Sequence, residues 1–332
     1  MNKVETSLRQ KVQELLKNKT VNLVIGYEKG SLPLKARPCF ITENSDSHKL
    51  IWNSFCKNNL SFYLNEIFNE NKGQNNNKSE SPKVAIISKG CDARSVTGLI
   101  TENQIPKENI IIIGMPCNGM VDKKKIDNLL SGDCAISCLK DEHEFLEIKT
   151  INGKIEKLHK QDIMTDACRE CNYPSYEFAD IQIGGEIKEI SPSIDIKVNK
   201  FEMLSQKERW DFFKKELSRC IKCNACRQAC PNCYCQVCFA DQTNPRWIGK
   251  SNDISNIMLY HIGRIFHQAG RCVGCDACVQ ACPMSIDLRT FTQKIVKDVK
   301  DLYGYIPGIT REKDPPLCNF DYKDNESFIT EP

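Results

Sequence analysis

The chain has 332 residues, which is enough for two domains of ordinary size. Its net charge is only +3, with 40% hydrophobic and 27% charged residues, and this balance argues against nucleic acid as the main partner. No apolar run approaches the roughly 18–20 residues that span a bilayer, and residues 1–20 lack the apolar core of a secretory signal. We therefore expect a cytoplasmic protein without a transmembrane segment.

Strands and helices alternate through residues 1–200. Buried strands are predicted at 21–27, 37–42, 83–88, 109–115 and 179–183, with a helix at 95–102 between two of them. This order predicts an α/β domain with a mostly parallel sheet. A hairpin is predicted from 145–149 and 154–158, turning at Asn152-Gly153. The polar, Asn-rich stretch 69–82 is typical of a flexible surface loop.

The remaining chain has a different character. Helices are predicted at 211–218, 256–268 and 295–303, and they surround two cysteine-rich motifs. We interpret residues 201–310 as a helical, ferredoxin-like domain. The segment 311–332, rich in proline and acidic residues, is expected to be an extended tail.

The main compositional outlier is cysteine, with 20 residues, and its spacing is that of bacterial ferredoxins. The two motifs read Cys220-x2-Cys223-x2-Cys226-x3-Cys230-Pro231 and Cys272-x2-Cys275-x2-Cys278-x3-Cys282-Pro283. In such motifs the first three thiolates bind one four-iron cluster and the fourth binds the other. Proline follows the fourth cysteine because the start of a helix tolerates a missing N–H group. The predicted ligands are Cys220, Cys223, Cys226 and Cys282 for one [4Fe-4S] cluster, and Cys272, Cys275, Cys278 and Cys230 for the other.

Zinc and disulfides are the alternative uses of these cysteines. Zinc sites usually pair two short CxxC units and need neither a third cysteine nor a following proline. A disulfide framework is typical of small secreted proteins. We therefore favour iron–sulfur clusters.

Three further cysteines, Cys233, Cys235 and Cys238, follow the first motif. We expect buried thiols near a cluster, with ligation or S–H contacts to the cluster as the alternative. His261 and His267 are expected to be packing or surface residues rather than ligands.

Cysteines also follow two of the predicted strands. Cys91 and Cys117 come directly after strands, and Cys168-x2-Cys171 precedes another. Because ligands bind at the carboxyl ends of strands in α/β sheets, these four cysteines suggest a third [4Fe-4S] cluster. From spacing alone, a zinc site or a redox-active CxxC fits nearly as well.

The block CRECNYPSYEFADIQIG, from Cys168 to Gly184, resembles the CxxC…ADIxxG signature of the coenzyme F420 hydrogenase/dehydrogenase β-subunit family. The elements IISKGCD and IIGMPCNG resemble the two upstream cysteine elements of that family, so the resemblance covers roughly residues 20–190. Usual members have a GTPCQ-type sequence where this chain has SKGCDAR. The variety with KGCD and a following two-cluster module is the closer match, and its members resemble partners of heterodisulfide-reductase-like complexes.

The resemblance implies a [4Fe-4S] cluster bound by Cys91, Cys117, Cys168 and Cys171 beside FAD. A helix that begins after a glycine favours phosphate, and nearby basic side chains add charge. The candidate FAD contacts are therefore Lys89, Gly90 and Arg94, followed by Arg37 and Asn53.

The implied function is that of an oxidoreductase subunit. FAD would exchange hydride with coenzyme F420 or NAD(P)H, and three clusters would connect it to a hydrogenase, formate dehydrogenase or heterodisulfide-reductase-like partner. The alternative is an electron relay or docking subunit that has no flavin and no catalysis of its own.

Overall fold

The computed structural model describes residues 3–73, 81–130, 135–174, 179–184 and 196–318. The helices of these residues are α1 (Lys3–Lys17), α2 (Phe62–Gly73), α3 (Gly90–Thr101), α4 (Lys123–Leu129), α5 (Lys160–Ile163), α6 (Asp166–Arg169), α7 (Ile196–Glu202), α8 (Gln206–Leu217), α9 (Ala225–Gln228), α10 (Ile254–His267), α11 (Ala277–Ala281) and α12 (Leu288–Tyr303). The strands are β1 (Leu23–Lys29), β2 (Ala36–Ile41), β3 (Val84–Ser88), β4 (Ile110–Gly114), β5 (Ala135–Asp141), β6 (Phe145–Thr150), β7 (Ile155–His159) and β8 (Ile181–Gln182). Short 3-10 segments lie at Asn44–Lys49, Lys107–Asn109, Phe239–Asp241 and Pro316–Cys318.

A five-stranded sheet forms the centre of the first part, in the order β2-β1-β3-β4-β8. Strands β1, β3, β4 and β8 pair in parallel, and only the edge strand β2 is antiparallel. The two central strands are rich in β-branched residues, which suit a sheet buried on both faces. The predicted α/β fold with a mostly parallel sheet is thus confirmed, although β8 is shorter than the predicted strand 179–183.

A second, three-stranded antiparallel sheet accompanies the first. The predicted hairpin is confirmed as β6 and β7, and Gly153 occupies the left-handed region at a φ of +79° in its turn. Strand β5 adds a third member that the sequence pattern does not predict. Its sequence AISCLKD has no clear alternation of apolar and polar residues.

Helices account for the regular structure described after residue 196. The predicted helices are confirmed as α8, α10 and α12, and α12 begins earlier than expected, at Leu288. Asp287 caps it by accepting hydrogen bonds from the backbone and hydroxyl of Thr290. The ferredoxin-like character of this part and the domain limits 1–200, 201–310 and 311–332 stay predictions. Residues 74–80 of the predicted loop and 319–332 of the predicted tail lie outside the described residues.

Helix length and composition also bear on membranes. None of the helices formed by the described residues is long and apolar enough to cross a bilayer.

Buried polar contacts join the α/β part to the helical part. The guanidinium of Arg94 on α3 donates to the carbonyls of Pro307 (2.8 and 3.0 Å) and Val273 (3.2 Å). Arg289 on α12 forms an ion pair with Glu170 at 2.7 Å. Backbone carbonyls and one carboxylate thus fix the second cysteine motif against the sheet.

Gly308 shows how closely these two parts approach. Its φ is +69°, and a Cβ atom built there would lie 2.1 Å from the carbonyl oxygen of Arg94. A side chain at this position would therefore separate the segment 307–308 from α3.

We expect Gly308→Ala to lower the free energy of unfolding by about 2–4 kcal/mol, because it adds backbone strain and a steric overlap with Arg94. Gly304→Ala is the matched control, because Gly304 also has a positive φ (+57°) but no atom within 4 Å of the place that a Cβ would take. Urea unfolding of both variants, followed by circular dichroism under anaerobic conditions, would measure the difference. Equal losses in the two variants would contradict the close contact.

Candidate functional site

The first cysteine group consists of Cys220, Cys223, Cys226 and Cys282. Burial raises the pKa of the Cys220 thiol, and the neighbouring Cys226, Cys223 and Cys282 raise it further. Cys226 and Cys282 are buried in one hydrophobic cluster, whereas Cys223 is exposed. The structure therefore brings together the four cysteines that the motif spacing assigns to one set.

The second cysteine group consists of Cys230, Cys272, Cys275 and Cys278. Burial raises the pKa of Cys272 and of Cys275 most. Among the neighbouring thiols, Cys230 raises these two pKa values most strongly. Cys230 and Cys272 likewise raise the pKa of Cys278, opposed by Arg264. The fourth cysteine of the first motif thus lies with the first three of the second motif, as the crossed ferredoxin pattern predicts.

The two motifs share one backbone conformation. Lys222 and Gly274 have φ values of +53° and +71°, and Asn224 and Asp276 have φ values of +59° and +56°. These pairs occupy equivalent places, immediately before and after the second cysteine of each motif. The helices that follow, α9 and α11, pack against each other. Two copies of one loop–helix unit therefore face each other.

Backbone N–H groups point at several of the sulfur atoms. The N–H of Lys222 donates to Sγ of Cys220, and that of Tyr173 donates to Sγ of Cys171, both at 3.4 Å. The same contact, two residues after the cysteine, lowers the pKa of further thiols against the effect of burial: Cys117, Cys230, Cys272 and Cys275. Such bonds favour the thiolate, which is the form that binds metal.

The third cysteine group consists of Cys91, Cys117, Cys168 and Cys171. Burial raises the pKa of Cys117, and the neighbouring Cys168 and Cys171 raise it further. Cys117 in turn raises the pKa of the nearby Cys91 thiol. Cys91 and Cys117 follow β3 and β4 at the carboxyl edge of the sheet, where the sequence predicts convergence.

The three groups adjoin one another. Cys91 of the third group and Cys275 of the second are electrostatic neighbours. Cys233 lies next to Cys230 of the second group and is also influenced by Cys226 of the first. The thiols therefore form a continuous series from the sheet edge to the exposed Cys223.

The spacing of these side chains bears on the kind of metal group. Within residues 3–73, 81–130, 135–174, 179–184 and 196–318, no three His, Cys, Asp or Glu side chains lie close enough to hold a single metal ion. A tetrahedral zinc site would place its four sulfurs within about 4 Å of one another. A four-iron cluster binds each thiolate at a different iron, so its ligands lie farther apart.

A cleft of about 480 Å³ opens between the sheet part and the two motifs. Cys275 forms part of its wall, together with Lys57, Phe62, Lys123 and Gln280. Lys57 donates to Gln280 Oε1 at 3.0 Å, and burial lowers its pKa. This volume lies within the roughly 300–1,000 Å³ typical of ligand pockets.

Comparison with known proteins shows which family the chain resembles. The sequence model that describes the C terminus of the beta subunit of coenzyme F420 hydrogenase/dehydrogenase matches residues 81–193, which include the whole third cysteine group. The chain is similar to this F420 hydrogenase/dehydrogenase beta-subunit family over those residues.

Individual relatives carry names of oxidoreductase subunits. The F420-dependent formate dehydrogenase subunit beta of Methanocaldococcus jannaschii is 26% identical over 296 residues, covering 72% of this chain and 77% of that protein. The F420-dependent formate dehydrogenase 1 subunit beta of Methanococcus maripaludis is 22% identical over 301 residues, covering 72% and 76%. A chain of the F420-reducing [NiFe] hydrogenase complex of Methanosarcina barkeri aligns with a TM-score of 0.40 at 12% identity, over 52% of this chain and 61% of that one.

In the structure, the predicted flavin contacts Lys89 and Arg94 have partners within the protein. The ammonium of Lys89 is 2.7 Å from Asp92 and also donates to Tyr27 and to the carbonyls of Cys56 and Asn58. Arg94 binds the carbonyls of Val273 and Pro307 and stacks on the ring of Tyr173.

The other three predicted flavin contacts have the following surroundings. Gly90 is buried as the first residue of α3, Arg37 is exposed and paired with Glu28, and Asn53 accepts from the N–H of Phe55. None of the five lines the 480 Å³ cleft as the described residues define it.

Helix α10 carries contacts that the sequence analysis missed. His261 Nε2 is 3.3 Å from Sγ of Cys220, the hydroxyl of Tyr260 is 3.7 Å from Sγ of Cys226, and Arg264 donates to the carbonyl of Cys226 at 2.9 Å. His261 is therefore buried against a predicted ligand, whereas His267 is exposed and meets the ring of Phe239. The polar residues spaced along the otherwise apolar α10 are the sequence feature that could have predicted these contacts.

Cys233, Cys235 and Cys238 line one cavity of about 230 Å³ beside α10. Cys233 accepts from Nε2 of Gln268 at 3.3 Å, and its contact with Cys230 lowers its pKa. The expectation that these three are buried thiols is not met, because Cys233 and Cys238 are only half-buried and Cys235 is exposed.

The Lys89–Asp92 pair is fully buried next to Cys91. Asp92 and Tyr27 raise the pKa of Lys89 against burial, while burial raises the pKa of Asp92 and Lys89 opposes this. An ammonium that loses its only carboxylate in this position would remain charged in a dry environment.

We expect Asp92→Asn to destabilise the protein by about 3–5 kcal/mol, because it leaves Lys89 buried and uncompensated. Glu14→Gln is the matched control, since Lys11 and Glu14 form a pair of the same residue spacing on an exposed helix face, and its cost should stay below about 1 kcal/mol. Urea unfolding would measure both. A loss for Asp92→Asn no larger than for Glu14→Gln would refute the buried ion pair.

Proposed function

We propose that this chain is an iron–sulfur flavoprotein subunit of an oxidoreductase complex. It would exchange electrons between a hydride carrier, coenzyme F420 or NAD(P)H, at FAD and partner redox subunits through three [4Fe-4S] clusters. Hydrogenase, formate dehydrogenase or heterodisulfide-reductase-like subunits are the proposed partners. The continuous series of three cysteine groups carries the proposal.

The three groups suit four-iron clusters by their chemistry. Each group brings together four thiols from two or three separate segments of the chain, and backbone N–H groups favour the thiolate form at several of them. Cys91 and Cys275 are neighbours across the contact between the sheet part and the helical part. Electrons could therefore pass between the third and second groups without leaving the protein interior.

The cleft beside Cys275 is the proposed flavin site. Lys57 and Lys123 offer positive charge for phosphate, while Phe55, Phe62 and Tyr63 offer apolar surface for a ring system. A flavin supplies the exchange between two-electron hydride chemistry and one-electron transfer. The wall residue Cys275 would place the second group next to that exchange.

The exposed end of the series lies at Cys223. This thiol is the exposed member of the first group, and the neighbouring Ile221 is 53% exposed. Electron transfer to a partner needs a short distance to the surface, which this end provides. A partner protein would therefore dock over Cys223.

Iron and flavin analysis of the full chain, purified anaerobically, tests the proposal. We expect about twelve irons and matching sulfide per chain, from three four-iron clusters, and about one FAD released on acid precipitation. A protein that binds neither iron nor flavin after reconstitution would overturn the proposal. Twelve irons without flavin would instead favour the relay subunit.

Substitutions separate the parts of the site. The double variant Cys91→Ser/Cys168→Ser should retain about eight irons, because only the third group is broken. Cys318→Ser is the control, since Cys318 is exposed in a 3-10 turn and belongs to none of the groups. Lys57→Met should weaken FAD retention at unchanged iron content, whereas the exposed Lys207→Met should not. Twelve irons in the double variant would remove the third cluster from the proposal.

A further inference from the structure

Arg264 on α10 is a buried cation that has no carboxylate partner among the described residues. Its side chain is 3% exposed, and its Nε and Nη1 atoms have no hydrogen-bond partner in the part of the chain that the structure describes. Its one hydrogen bond there, from Nη2 to the carbonyl of Cys226, involves no charged group. Arg289 is equally buried but has two carboxylates, Glu170 and Asp276, within 3.0 Å.

The surroundings of Arg264 identify what balances its charge. Four cysteine side chains are its electrostatic neighbours: Cys278, Cys230, Cys233 and Cys226. Cys226 belongs to the first cysteine group, and Cys230 and Cys278 belong to the second. A buried cation requires compensation by negative charge, so the thiolates of both groups are its natural counter-ions.

His261 and Tyr260 each contact a cysteine of the first group alone. The ring of His261 is buried against the first group. Nδ1 of that ring is buried without a partner among the described residues, while Nε2 faces Sγ of Cys220. Because a thiolate only accepts hydrogen bonds, the proton belongs on Nε2. The hydroxyl of Tyr260 offers a second donor to Cys226.

The second group differs from the first because a carboxylate lies beside it. Asp276, which follows Cys275 directly, is a buried carboxylate, although Arg289 pairs with it at 3.0 Å. Negative charge close to a cluster opposes the gain of an electron, whereas a cation or an N–H donor favours it. The two groups therefore differ in their electrostatic environment.

We propose that α10 sets the order of the two reduction potentials, with Arg264 as the cation shared by both cysteine groups and His261 and Tyr260 as donors to the first group alone. The first cluster then has the higher potential. Arg264, His261 and Tyr260 are positioning residues for electron transfer, not ligands. This inference rests on the proposed iron–sulfur function.

The order of potentials gives electron transfer a preferred direction. Cys275 of the second group forms a wall of the cleft, and Cys223 of the first group reaches the surface. An electron that arrives from the cleft releases free energy when it moves from the second to the first cluster. The exposed end is thus favoured as the exit.

Redox titration of the full, anaerobically purified chain, followed by electron paramagnetic resonance, tests this proposal. We expect Arg264→Gln to lower the potentials of both clusters and Arg264→Lys to restore most of the loss, because the charge is retained. His261→Leu and Tyr260→Phe should each lower the first potential alone. A tenfold change in the oxidised-to-reduced ratio, about 59 mV for one electron, is the expected size for Arg264→Gln.

His267→Leu is the matched control, since His267 lies on the same helix but faces Phe239. Iron content of every variant is measured alongside the potentials. If Arg264→Gln loses iron, His261→Leu and Tyr260→Phe test the proposal in its place. The proposal requires each of these two variants to narrow the gap between the two reduction potentials. Unchanged potentials in iron-loaded variants would overturn the inference while leaving the proposed function intact, whereas a wild-type chain without clusters would overturn both.

Discussion

The structure depends on balancing the negative charge that a series of buried thiolates would carry. Twelve cysteines lie in three adjoining groups, and all of them except Cys223 are at least partly shielded from water. Backbone N–H groups from left-handed loop residues such as Lys222 and Gly274 supply part of the balance. Buried side-chain cations contribute as well, and Arg264, which has no carboxylate partner in the described part of the chain, is the clearest case.

The same constraint explains how the sheet part and the helical part are joined. Arg94 lies near thiols of the second and third groups, yet its hydrogen bonds go to the carbonyls of Val273 and Pro307. One side chain thus contributes positive charge near the cysteines and also fixes the second motif against α3. Because Gly308 lets the backbone approach Arg94 directly, the segment 307–308 lies against α3, the helix that also carries Cys91.

Motif spacing predicts the two crossed cysteine groups, because a loop of fixed geometry recurs twice, whereas spacing only suggests the third group, which the family resemblance implies. The flavin contacts could not be predicted in the same way. Lys89 and Arg94 flank a glycine at a strand end, as phosphate-binding residues often do, but their partners Asp92, Pro307 and Val273 depend on tertiary packing. His261 was missed for the same reason, since its contact with Cys220 spans 41 residues of sequence.

The cleft beside Cys275 exists only because the two parts dock, and this has a consequence for the proposed function. Its walls come from the sheet part, through Phe55 and Lys57, and from both motifs, through Gln228 and Gln280. A cofactor bound there would contact each part and would stabilise their association by its own binding free energy. The contact between the two parts therefore supports both the proposed site of electron entry and the second cysteine group. A change that loosens Arg94 or Gly308 would disturb all three together.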